Sequence, residues 1–179
     1  MLKGRQPKKL LIINILEILR KYSDEEHRLS QRDIEEILEK EYDMIVDRKA
    51  IKRNITDLLD FGYEIGYREI VRQMPDKKTG EIVENIVLTD FYLIREFTDG
   101  ELRLLIDSIV FSKHIPYEQC KELVEKLAGL SNKYFSSGIK HIARMSVDKT
   151  DNKQLFLNIE LINEAINKKR KVSFKYAEY

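Results

Sequence analysis

The stretch VDRKAIKRNITDLLDFG, residues 46–62, places Arg48, Lys49, Lys52 and Arg53 within six residues of an amphipathic helical pattern. Asp47 stands where an N-cap carboxylate accepts from free backbone N–H groups, and Gly62 stands where a helix ends on a left-handed residue. The spacing predicts a helix over about 47–61. At about 100° per residue, Ile51, Ile55 and Leu58 share one side, while Lys49, Lys52, Arg53 and Thr56 form a strip roughly opposite. Arg48 borders the apolar side and suits a phosphate or packing role. A helix that buries one face and shows a basic and hydroxyl strip on the other suits the DNA major groove, where Arg and Lys reach guanine edges or phosphates. The plain alternative is a solvated basic face.

Working outward, residues 8–22 repeat Leu11, Ile12, Ile15, Leu16, Ile18 and Leu19 at helical spacing, which predicts a first helix. Ser30 opens SQRDIEEILEKEY, where Ser30 and Asp33 form a capping-box pair and Ile34, Ile37 and Leu38 a buried stripe. Three helices thus fit in the first 62 residues. The period then changes. YEIGYREIVRQM and GEIVENIVL are β-prone runs on either side of the turn-forming PDKKTG, so a hairpin over about 63–90 follows. Three helices closed by a hairpin are winged-helix architecture, and the expected fold class is α+β, mainly helical.

Beyond the hairpin, Thr98 and Glu101 open a helix to about Lys113 with Leu102, Leu105, Ile106, Ile109 and Val110 on one side. YEQCKELVEKLAGL predicts a partner carrying Cys120, Leu123, Val124, Leu127 and Leu130. Residues 131–154 have no clean period and are read as a connection with one short helix. LNIELINEAINKKR forms a last helix with Ile159, Ile162 and Ile166 on one face, and Val172, Phe174 and Tyr176 alternate as in a terminal strand. A strand without neighbours leaves its backbone groups unpaired, so it either adds to a sheet elsewhere or belongs to a chain cut inside a domain, and the cut is the favoured expectation. The expected domains are 1–92, 93–150 and 151–179.

The composition, 42% apolar and 35% charged with seven glycines and three prolines, is that of a folded helical protein rather than a disordered or fibrous one. Residues 1–75 hold 15 Lys and Arg against 15 Asp and Glu, so any nucleic-acid footprint is made by sorting charges onto faces. The lone Cys120 forms no intrachain disulfide and favours a reducing, cytoplasmic compartment. Asn14 and Glu17 interrupt the early apolar run, so neither a signal peptide nor a membrane span is expected.

Chemistry is sparse. His27, His114 and His141 lie in different elements without metal-ligand spacing, and no phosphate loop, nucleophile elbow or Cys-x-x-Cys occurs. We expect no enzyme, catalytic residue, metal or cofactor. The aromatic residues, among them Tyr63, Tyr67, Phe91, Tyr92, Phe97, Phe111, Tyr134 and Phe135, are read as core. Ser30, Gln31 and Arg32 stand at a helix N-terminus suited to a backbone phosphate, Lys77 and Lys78 tip the hairpin, and Lys8 and Lys9 begin the first helix. Against them, Glu35, Glu36, Glu39 and Glu41 crowd the second helix and must point away from any DNA.

The order of elements, with VDRKAIKRNITDLLDFGYEIGYRE, DFYLIREFTDGELRLLIDSIVFSKHI and INEAINKKRKVSFKYAEY, resembles bacterial transcriptional regulators of the WYL-domain family. The resemblance spans nearly the whole chain. It implies an N-terminal winged helix-turn-helix, a helical connector and the start of a WYL domain, whose Trp-Tyr-Leu motif is absent here along with any effector it senses. It also implies double-stranded DNA as partner, a homodimer with contacts in residues 99–130, Arg48, Lys49, Lys52 and Arg53 in the recognition helix, and Lys77 and Lys78 in the wing. A reading from another class keeps the fold as a protein-interaction module without DNA binding, motivated by the acidic second helix and the near-zero net charge.

Overall fold

The apolar spacing of residues 11–22 is realised in α1, Leu11–Tyr22, which follows a 3₁₀ turn at Lys8–Leu10. The computed structural model describes residues 7–75, 82–139 and 154–173. Within them the chain is mainly helical, with one two-stranded antiparallel hairpin. It divides into two units: residues up to Asp99 together with Ala128–Gly138, and Gly100–Leu127 together with Ile139 onward. Residues 128–138 thus group with the first unit.

The first unit is built on α1, α2 (Gln31–Tyr42) and α3 (Arg48–Phe61). Ile15, Ile18 and Leu19, Ile34 and Leu38, and Ile51, Ile55 and Leu58 meet in one buried cluster, joined by Met44, Ile65, Phe91 and Leu93. The ends of these helices are set by short side chains. Ser30 Oγ accepts from the Asp33 N–H at 3.2 Å while the Asp33 carboxylate accepts from the Ser30 N–H at 2.7 Å, completing the capping box. Asp47 accepts from the Ala50 N–H at 2.6 Å. Gly62 closes α3 at φ 110°, a conformation that a β-carbon disfavours. Gly62→Ala is therefore expected to cost about 1–2 kcal/mol in urea unfolding, although nothing crowds the site.

Strands β1 (Ile65–Pro75) and β2 (Ile82–Leu93) pair from Ile65↔Leu93 through Val71↔Ile86 to Pro75↔Ile82. The register shifts between Gly66 and Arg68, opposite Asp90 at φ 57°. A Cβ on Gly66 would lie 2.3 Å from the Tyr92 ring, so any larger residue here would have to displace that ring. Leu29 adds a short antiparallel bridge to Phe91 through bonds of 2.9 and 2.8 Å. The amide of Gln31 donates to the Leu88 carbonyl at 3.2 Å, fastening the start of α2 to the hairpin. Residues 76–81, with Lys77 and Lys78, lie outside the described residues.

Residues 128–138, including the start of α6 (Lys133–Ile139), return to the first unit at the turn after α1. Asn132, 2% exposed, accepts from the Tyr134 and Phe135 N–H groups at 3.0 Å and donates to Asp24 Oδ2 at 2.5 Å. Tyr134 stacks on His27 with centroids 3.6 Å apart, and Lys133 lies over the rings of Tyr22 and Tyr134. Burial pushes the Asp24 carboxyl up, but hydrogen bonds from His27, Asn132 and Glu26 outweigh it and hold the group below the ordinary carboxylate range. The short helix expected within 131–154 lies at Lys133–Ile139, and Asn132 caps its first turn.

In the second unit α4 (Asp99–Phe111) buries Leu102, Ile106 and Val110, and α5 (Tyr117–Ala128) buries Cys120 and Val124. Cys120 Sγ reaches the Ile109 carbonyl at 3.7 Å. Leu105 and Leu130, expected on the apolar faces, are exposed. The last helix, α7 (Leu155–Asn167), exposes Leu157, Ile159, Leu161, Ile162 and Ile166. Val172 is in no regular element, while Phe174, Tyr176 and His141 lie outside the described residues.

The aromatic expectation needs correcting. Among the described residues Phe91 is the buried aromatic, whereas Tyr67, Phe97, Phe111 and Tyr134 are exposed. A two-stranded hairpin and helix ends offer these rings neighbours on one side only. Among the described residues, no helix is long and apolar enough to cross a membrane.

Candidate nucleic-acid interface

Burying Ile51, Ile55 and Leu58 turns the opposite side of α3 outward, and there Lys49, Lys52, Arg53 and Thr56 are all exposed. Lys49, Lys52 and Arg53 have no carboxylate partner among the described residues, so their charge is uncompensated by direct pairing. The Thr56 hydroxyl donates back to the Lys52 carbonyl at 3.1 Å, leaving its oxygen and methyl at the surface. Asn54 likewise donates to the Ala50 carbonyl at 2.8 Å and lies half-buried at the edge of the strip.

The remaining candidates are less free. Arg48 Nε lies 3.3 Å from Glu35 Oε2, with side chains 62% and 35% exposed. Arg32 pairs along α2 with Glu36 at 2.9 Å. Exposed pairs of this kind contribute about 0–1 kcal/mol, so either arginine is readily transferred to a phosphate. Gln31 is tied to Leu88, and Ser30 is occupied in the capping box, so both position α2 in this conformation. Lys77 and Lys78 lie outside the described residues.

The acidic residues of α2 divide. Glu41 turns to α1, bonded to Tyr22 and to Lys21 at 3.1 Å. Burial raises its pKa, but these bonds hold it below the ordinary carboxylate range. Glu35 does not turn away, since it reaches the first residue of α3.

The fold also collects cations that are distant in sequence. Lys8 and Lys9 share with Arg53 and Asn54 the lining of a cleft of about 560 Å³, together with Ile45, Asp47 and Asp57. On the hairpin, strand alternation puts Arg68 and Arg72 on one face. Arg68 is 3.6 Å from Asp90, while Arg72 is exposed with no carboxylate partner among the described residues. Reading the sequence singled out the turn lysines and passed over Arg72, for which the alternation of β1 was the available signal. Among the described residues, no group of His, Cys, Asp and Glu could hold a metal ion. No protein-family model, curated protein or solved structure matches the chain.

Proposed function

We propose that the chain is a sequence-specific DNA-binding transcriptional regulator whose first unit is a winged helix-turn-helix. In this reading α3 enters the major groove and the hairpin meets the backbone or minor groove as the wing. The observation that carries it is the exposed strip of Lys49, Lys52 and Arg53 opposite the buried Ile51, Ile55 and Leu58. The Leu29 bridge beside the hairpin and the cations Lys8, Lys9 and Arg72 support it. Likeness to WYL-domain regulators is part of the proposal, as are a cytoplasmic location and a homodimer. A two-fold pair would read half-sites about one helical turn apart.

Selection of bound sites from random duplex DNA, followed by salt titration on the enriched duplex, tests this. A selected consensus with log affinity falling linearly in log salt is the expected result; no enrichment sinks the reading. Glu35 lies beside Arg48 with like charge to the phosphates, so Glu35→Gln is expected to raise duplex affinity about two- to fivefold. Unchanged binding would place Glu35 away from the duplex.

A second reading, a winged-helix protein-interaction module, is favoured by Val71, Ile86 and Ile82, which share one hairpin face and are 58%, 53% and 72% exposed. A stable protein partner combined with no salt-sensitive duplex binding selects it.

A further inference from the structure

Residues 128–138 make polar and ring contacts with the first unit, and several of them converge on one turn. Asn132 donates to Asp24 Oδ2 and, at 3.4 Å, to the Ser23 carbonyl. The same Ser23 anchors the end of the hairpin. Its carbonyl accepts from Arg95 Nη2 at 2.5 Å, and its hydroxyl accepts from the Leu93 N–H at 3.2 Å while donating to the Leu19 carbonyl at 2.7 Å. Ser23 is fully buried, so each of these groups depends on the others for its hydrogen bonds. Ser131 adds a bond to Asp99 Oδ1 at 2.7 Å.

The docking is incompletely packed. Gly129, Leu130 and Ser131 line a cleft of about 440 Å³ with Arg20, Tyr63 and residues 93–97 of the hairpin exit. A segment held by hydrogen bonds over an open cleft opens at lower free energy than the apolar core of α1–α3. The chain on both sides of it, 100–127 and 139 onward, belongs to the second unit.

We propose that residues 128–138 are a displaceable strap and that Asn132 is a positioning residue for the duplex interface. With the strap docked, Asn132 holds the Ser23–Asp24 turn, that turn holds Leu93 and Arg95, and the hairpin keeps a fixed direction against α3. With the strap released, the hairpin must be reordered on binding, which weakens the complex without removing any phosphate contact. This inference rests on the DNA-binding reading.

The bond between Asn132 and Asp24 permits an exchange test on the full chain, using the duplex enriched by selection. Asn132→Asp keeps the cap of α6 but opposes two carboxylates, and Asp24→Asn leaves one oxygen where two accept from Asn132 and from the Glu26 and His27 N–H groups, weakening the bond with the opposite change in charge. The double exchange restores one amide donor facing one carboxylate. Each single variant is expected to speed hydrogen exchange at residues 23–27 and 93–95 and to weaken duplex binding about three- to thirtyfold with an unchanged salt slope; the double variant recovers both. Single variants that release the strap yet bind as the wild type refute the positioning role while leaving the DNA reading intact. Unaltered exchange in both, or no recovery in a double variant with native circular dichroism, also refutes it. A wild-type chain without salt-dependent duplex binding removes the functional reading first, and this inference with it.

Discussion

Replacing Lys49, Lys52 and Arg53 together by alanine is expected to lower duplex affinity about 10²–10³-fold at 0.1 M salt and to reduce the salt slope by about 2.7. The figure follows from counterion release. Each neutralised phosphate contributes about 0.9 to the slope of log affinity against log salt, so three contribute about 2.7, and at 0.1 M that is a factor of about 500. The substitution leaves the fold intact, because all three side chains are exposed and alanine is the better helix former. A folded triple variant that binds with the wild-type slope would remove α3 from the interface.

The largest effect on stability is expected at Phe91. Its ring is fully buried, and its backbone pairs with Leu29, so one residue joins the hairpin, the turn before α2 and the cluster of α1, α2 and α3. Truncation to alanine costs about 3–5 kcal/mol, combining lost burial with the cavity left behind. For a unit of about 100 residues each kcal/mol lowers the midpoint by about 4–8 °C, so the melt should fall by about 12–40 °C. Such a loss approaches the whole stability of a small domain. Thermal denaturation followed by circular dichroism measures it, with the exposed Phe61→Ala as a control expected to stay within about 0.5 kcal/mol. A shift at Phe91 no larger than that control would mean that the hairpin is not held through this ring.

Much of the first unit was legible because its determinants are local. Ser30 with Asp33, Asp47 and Gly62 act within one helical turn of the backbone they terminate, and the stripes of α1 and α3 are set by residues three and four apart. The same reasoning says less about burial. The regular spacing of α7 is intact, yet its isoleucines are exposed, because periodicity states which residues share a face and not what covers it. Tyr67 of the hairpin, Phe97, Phe111 and Tyr134 are exposed for this reason too. The place of the short helix within 131–154 was not legible, because its cap, Asn132, takes its orientation from Asp24, more than one hundred positions earlier.

The candidate interface divides along the same line. By itself the sequence determined that Lys49, Lys52, Arg53 and Thr56 lie opposite Ile51, Ile55 and Leu58, because 3.6 residues per turn is a property of the backbone. Only the tertiary structure decided which cations keep their charge free. It set Glu35 against Arg48, spent Gln31 on the Leu88 carbonyl, brought Lys8 and Lys9 to the cleft beside Arg53, and fastened Asn132 to the turn that holds the hairpin. Ion pairing and hydrogen bonding act over a few ångströms, and closeness on that scale is settled by packing rather than by position along the chain.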